Sequence, residues 1–266
     1  MPGQILLTRE GELATLVISN PEKLNALDRE MWDALHAHLR DLTAEVAEPT
    51  ETSLRCLRIK GDGERAFAAG GDLEEFSRVR MTIDAAMAYH SQSVGPALQS
   101  LADFPLPVVA QIQGPCIGGG LEIACCCDIR ITSDAASFGA PILKLGFNMY
   151  AGEMAHVLAA IPAAVAAEIL LEGRILDAPE ALSKGLVSRC VPDAQLEDEV
   201  LATCRRISQG APLVARAHKV WLRRLRQPAP LTTEELRASL SLVSSDDYRA
   251  GLDAFFKKER PRFRGR

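Results

Sequence analysis

Gly118-Gly119-Gly120 follows an apolar, β-branched run and precedes a helical pattern in which Glu122 stands two residues beyond the last glycine. Consecutive glycines let a ligand approach the backbone with no Cβ in the way. The first N–H groups of a helix have no intrahelical partner, so such a turn presents donors to negative charge. A carboxylate beside those donors can give or take a proton. The combination suits a reaction in which an oxyanion develops and a proton moves. A second junction of the same kind lies upstream: Cys56–Lys60 reads as a strand, and Ala66-Phe67-Ala68-Ala69-Gly70-Gly71-Asp72-Leu73 as a small-residue turn opening a helix. Two such junctions can each aim one N–H at the same oxygen, which is the arrangement of an oxyanion hole.

A glycine triplet standing alone is equally well a tight turn, so the second junction is what favours the oxyanion reading. The spacing does not fit a dinucleotide fingerprint, a phosphate loop or a nucleophile elbow. Other titratable residues have plain structural readings beside the chemical ones. Glu122 could cap its helix start. Glu153 is a favourable charge in a first helical turn. Tyr150 offers a phenol or simply lines a pocket, while His90 and His156 lie on helical stripes and read as packing or surface residues. The seven cysteines contain no C-x-x-C and read as reduced thiols in apolar surroundings. His36 and His38, two residues apart on a helical pattern, point in different directions. No metal site is expected.

The elements that must hold these groups follow from periodicity. Gln4–Thr8 and Ala14–Ser19 read as a hairpin, Leu27–Val46 as a long amphipathic helix, and Ala85–Leu101 as a further helix. Strands are expected at Val108–Gln113 and Asp128–Thr132, with a loop at Ala136–Pro141. Helices are expected at Glu153–Ala160, Ala163–Leu171, Ala178–Lys184, Leu196–Ser208 and Leu213–Leu225. This order predicts a stacked α/β core with a helical appendage. With 266 residues, 47% of them hydrophobic, the chain can bury a sizeable core. A net charge of −5 with interspersed signs argues against a nucleic-acid surface, and no apolar run reaches membrane-spanning length. A soluble cytoplasmic protein is the expectation. Only Phe255–Arg266 breaks the balance, with six basic residues and one acid. It reads as a solvated tail, or as an aromatic and basic holder for a base and its phosphates.

Taken together, Asn20–Leu27, Arg65–Leu73, Gly114–Glu122, Cys127–Arg130, Ala136–Pro141 with Lys144–Gly146, and Gly173–Ile175 with Ala181–Leu186 resemble the crotonase (enoyl-CoA hydratase/isomerase) superfamily along nearly the whole chain. The resemblance implies a crotonase-like spiral of ββα units, an acyl-CoA-binding core over 1–195, and a helical region over 196–266 that builds homotrimers or hexamers. It implies acyl-CoA thioester substrates, with coenzyme A arriving as part of the substrate and no permanently bound cofactor. Gly71 and Gly119 map onto the oxyanion donors. Coenzyme A contacts map onto Lys23, Leu24 and Ala26, onto the backbone at Gly71, Asp72 and Leu73, and onto Phe255 and Lys258.

The chain departs from the family pattern at the carboxylates. Hydratases of the family use two glutamates; the first corresponds to Glu122, whereas the second position is Ile142, which cannot move a proton. The aspartate that some isomerases and dehalogenases carry falls on Tyr150. Glu122 is therefore the leading proton carrier and Glu153, near the expected acyl pocket, the next. The function implied is enoyl-CoA hydratase/isomerase-like chemistry on a thioester enolate. The alternatives are a single-carboxylate isomerase, decarboxylase or thioester hydrolase, or a non-catalytic acyl-CoA binder.

Overall fold

The computed structural model describes residues 3–47 and 54–266. β1 (Gln4–Glu10) and β2 (Leu13–Ser19) form the expected antiparallel hairpin. α1 (Arg29–Ala47) buries Met31, Trp32, Leu35, Leu39, Leu42 and Val46, a stripe at three- and four-residue spacing. β3 (Cys56–Gly61) lies parallel to β2. α2 (Leu73–Val79), α3 (Ile83–Tyr89) and α4 (Gly95–Asp103) then lead to β4 (Val108–Ile112), parallel to β3.

From β4 onward the chain alternates between two sheets. β5 (Pro115–Ile117) enters the second sheet, α5 (Gly119–Cys126) returns, β6 (Ile129–Ser133) pairs with β4, and β7 (Ser137–Gly139) pairs with β5. α6 (Ala151–Ala160) and α7 (Ala163–Leu171) precede β8 (Ile175–Asp177), α8 (Ala178–Ser183) and β9 (Arg189–Val191). The first sheet runs β1-β2-β3-β4-β6-β9 and the second β5-β7-β8, so a strand in each sheet followed by a helix is the repeating unit. α9 (Leu196–Ser208), α10 (Pro212–Arg224), α11 (Thr233–Ser239) and α12 (Asp246–Lys257) complete the chain.

Side-chain alternation divides the core. Leu57 and Ile59 of β3, with Val108, Ala110 and Ile112 of β4, face the large cluster shared with α1, α4 and α5. Cys56, Val109 and Ile131 face the other way and pack on Leu196, Val200 and Cys204 of α9. Arg58 shares that second face, where Glu197 (2.7 Å) and Thr15 (3.1 Å) accept from its guanidinium. Thus α9, though it begins the expected helical region at 196, covers the sheet and is continuous with the core.

Three local expectations are corrected. Ala85–Leu101 is not one regular helix: His90–Val94 forms a π turn between α3 and α4, closed by Gly95 N–H donating to His90 O. Pro96 explains it, because its ring has no N–H to donate and crowds the carbonyl four residues back. Ser137–Gly139 is a strand rather than loop, too short to give a period-2 signal. The basic stretch after α12 is not a free tail. The Arg264 and Gly265 N–H groups donate to the Asp247 carboxylate (2.7 and 2.9 Å), and Arg55 donates to Phe263 O (3.0 Å).

Candidate active site

The two glycine junctions lie side by side. Ala68 N–H donates to Pro115 O (3.1 Å) and Ile117 N–H to Ala68 O (2.9 Å), so the turn after β3 pairs like a strand with β5. At Gly118, φ is +50°, and a Cβ there would lie 3.5 Å from Gly70 Cα; at Gly120 a Cβ would stand 2.6 Å from Ala68 O. Glycine is required at this crossing for its left-handed backbone and for the close approach. On the other side, Leu27 N–H donates to Gly70 O and Asp72 N–H to Leu27 O, both at 2.8 Å. In an extended pairing, successive residues alternate their polar groups, so Gly71 turns its own N–H away from Leu27. Gly119 is the first residue of α5, where an N–H has no intrahelical acceptor. Among the described residues neither N–H has a protein partner, and both glycines line one cavity of about 210 Å³.

The walls of that cavity are largely apolar, from Trp32, Phe76, Val94, Ile117, Ile142, Phe147 and Met149. Its ionisable groups are Arg80, His90, Glu122, Tyr150 and Glu153, with Tyr89 behind them. Glu122 is 7% exposed. Gly118, not Glu122, caps α5, and no protein group among the described residues hydrogen-bonds the Glu122 carboxyl. Burial, reinforced by the negative charge of Glu153, pushes this carboxyl well above the usual carboxylate range, against an opposing pull from Arg80. The direction of this shift favours the protonated form.

Glu153, 3% exposed in the first turn of α6, supplies a second carboxylate to the cavity. His90 Nδ1 hydrogen-bonds to Glu153 Oε1. The imidazole stacks on Tyr150 (centroids 5.2 Å apart, 18° between planes) and meets Tyr89 edge-on at 5.3 Å. The π turn starts at His90 and places it here. Sequence reasoning assigned His90 to packing, and nothing in local periodicity marks its partner on another helix. Tyr150 and Ile142 both line the pocket.

The other expected contacts lie outside the cavity, apart from Leu73, which lines its mouth. Lys23 donates to Asp72 (2.8 Å) and Glu74 (2.7 Å), while Asp72 caps α2 by accepting from Glu74 N–H. Leu24 is left-handed (φ 52°), its carbonyl accepting from Ala69 N–H (3.0 Å), and Ala26 is buried beside it. Phe255 is exposed and stacks edge-on against Phe256; Lys258 is the left-handed residue that ends α12. His36 and His38 bond Ser100 and Ile5 separately. His156 lies half-buried in a different cavity, beside Arg223 and Arg226. All seven cysteines are free thiols, and the described residues hold no cluster of three or more metal-ligating side chains.

The sequence profile described as Enoyl-CoA hydratase/isomerase matches residues 8–266. The chain belongs to this family. A crystal structure of an enoyl-CoA hydratase/carnithine racemase from Magnetospirillum magneticum superposes with a TM-score of 0.93 at 41% identity, covering 98% of this chain and 96% of that one. A probable enoyl-CoA hydratase of Mycobacterium tuberculosis is 32% identical over 261 residues, 97% of each chain. The (E)-benzylidenesuccinyl-CoA hydratase of Thauera aromatica is 31% identical over 264 residues, 98% of this chain and 99% of the other. As a family member the chain has the crotonase fold, and its two-sheet ββα alternation is the spiral the resemblance implies. No described helix is long and apolar enough to cross a membrane.

Proposed function

We propose that this enoyl-CoA hydratase/isomerase family member moves protons on the carbon chain of an unsaturated acyl-CoA thioester. The thioester oxygen accepts from Gly71 and Gly119 N–H, which stabilise the enolate as its charge develops. Glu122, whose burial raises its hold on a proton, gives that proton to the α-carbon of the enolate. Glu153, held by His90, takes the balancing proton, from water as it adds to the β-carbon or from the γ-carbon in a 1,3-shift. Transfer between the two carboxylates restores the starting state. Glu153 thereby supplies from α6 the second carboxylate that Ile142 removes. One observation carries this reading: two glycine N–H groups without a partner among the described residues, a buried Glu122 and a His90-bound Glu153 line a single cavity.

Coenzyme A would run from the cavity mouth at Leu73 past Lys23, Leu24, Ala26 and Asp72, with Phe255 and Lys258 at the adenine and 3′-phosphate. Lys23 exchanges a carboxylate for a phosphate in doing so. No cofactor beyond the thioester itself is required. The test is turnover of a panel of enoyl-CoA and malonyl-CoA-type thioesters by native and E153Q proteins, beside titration of free coenzyme A. Turnover that E153Q cuts about 10²-fold or more is expected for an acid–base group. Coenzyme A binding without turnover of any thioester would make the chain a non-catalytic acyl-CoA binder instead.

A further inference from the structure

Arg80, the residue that ends α2, places its guanidinium on the cavity wall without a counter-charge. Its carbon Cζ lies 4.2 Å from the ring centre of Phe76, 4.7 Å from that of Phe147 and 5.9 Å from that of Tyr89. Among the described residues no carboxylate or carbonyl accepts from it. Neither acid in the cavity makes an ion pair with it among the described residues, and Glu153 is hydrogen-bonded to His90. Aromatic faces hold a guanidinium by cation–π attraction and leave its N–H edge free. Arg80 is half-buried, so its free edge meets water in the cavity, and an anion brought by the ligand would replace that water with a charge-assisted pair. Arg80 is also close to the reacting groups. Phe76, over which it stacks, abuts Gly71, where an added Cβ would meet the ring at 2.5 Å, and the Arg80 charge is felt at Glu122.

We infer that Arg80 recognises a carboxylate carried on the acyl group, and that the substrate class is an acyl-CoA with an anionic acyl substituent. The planar fork of a guanidinium matches a carboxylate bidentately, whereas Phe76 and Phe147 exclude water around the pair. The apolar walls accept the carbon chain between the thioester and that carboxylate. This inference rests on the acyl-CoA reading above and adds the chemistry of the acyl end. The phosphates of coenzyme A are the competing anions. Arg80 also lies over Phe147 and Tyr89, and Tyr89 meets His90, the partner of Glu153, edge-on, which puts the cation on the side of the reacting carboxylates.

The experiment is calorimetric titration of native, R80M and R80K proteins with three unreactive ligands: free coenzyme A, butyryl-CoA and glutaryl-CoA. The last is butyryl-CoA with one carboxylate added at its terminal carbon. A charge-assisted bidentate contact predicts that native protein binds glutaryl-CoA about 10–100-fold more tightly than butyryl-CoA. R80M should bring that ratio to one or below, with R80K in between. A native ratio near one overturns the inference whether or not the variants fold. Equal weakening of all three ligands by R80M also overturns it, assigning Arg80 to coenzyme A itself. Failure of native protein to bind any of the three overturns the acyl-CoA reading, and this inference with it.

Discussion

Replacing Glu122 with glutamine separates two consequences of its burial, one on stability and one on rate. The carboxyl is 7% exposed, lacks a hydrogen bond from the described residues and faces the charge of Glu153, so its pKa is raised above the ordinary 4.5. The unfolded chain releases this proton near 4.5, and the folded chain retains it to higher pH. Between those values the native state binds one proton more than the unfolded state, and stability falls by about 1.4 kcal/mol per pH unit. Below 4.5 both states are protonated and the contribution is flat; above the folded pKa it is flat again. Glutamine cannot ionise, so E122Q escapes the fall. For a chain of this size about 1 kcal/mol corresponds to about 2–4 °C. The melting-temperature advantage of E122Q should therefore widen by roughly 3–6 °C per pH unit above 4.5. Calorimetric melts of both proteins at each pH from 4.5 to 8 read this slope, and steady-state turnover at pH 7 reads the rate. Glutamine keeps shape and hydrogen-bonding capacity but carries no transferable proton, so kcat should drop about 10²-fold or more. Parallel melting curves for the two proteins would refute the neutral carboxyl. Full activity in E122Q would refute its role as proton carrier and leave Glu153 with that role.

Three further outcomes follow from the geometry. In G119A the new Cβ meets Trp32 Cζ2 at 2.9 Å and displaces the N–H; kcat should fall by about 10²–10³ while free coenzyme A binds as before, and an unchanged kcat would remove this donor from the mechanism. In K258A binding of coenzyme A should weaken by about 1.5–3 kcal/mol, with little effect on dephospho-coenzyme A, whereas equal losses would mark Lys258 as a solvated surface charge. Val220, Leu222 and Leu225 near the end of α10, Leu240 and Val243 beyond α11, and Phe255 and Phe256 at the end of α12 are each more than half exposed. So much apolar surface on helices calls for subunit partners. Light scattering at micromolar concentration should give a trimer or hexamer, and a monomer would refute this.

Local pattern alone determined much of this protein. The β-branched run ending at Gly114, the Gly118-Gly119-Gly120 turn and the apolar stripe of α1 each report on residues adjacent in the chain. Backbone sterics and helix periodicity act at that range, so both glycine junctions and the helices α7 and α9, to their end residues, were legible. The gaps lie where a residue's role depends on what another segment brings to it. Glu153 reads locally as a favourable helix-start charge; it becomes a second carboxylate because the π turn at His90, 63 residues earlier, delivers an imidazole to it. Arg80 ends a short helix, and only the approach of Phe76 and Phe147 turns it into a cation on the wall of the cavity. The charged side chains of the basic terminus are exposed, as a solvated tail would have them, but its backbone is tied down because Asp247 accepts from it. Spacing along the chain thus determined the two glycine turns and the place of Glu122 after the second. The counter-charges, the partner of the second acid and the unpaired cation were decided by tertiary packing, because charge and desolvation act between residues that only the fold makes neighbours.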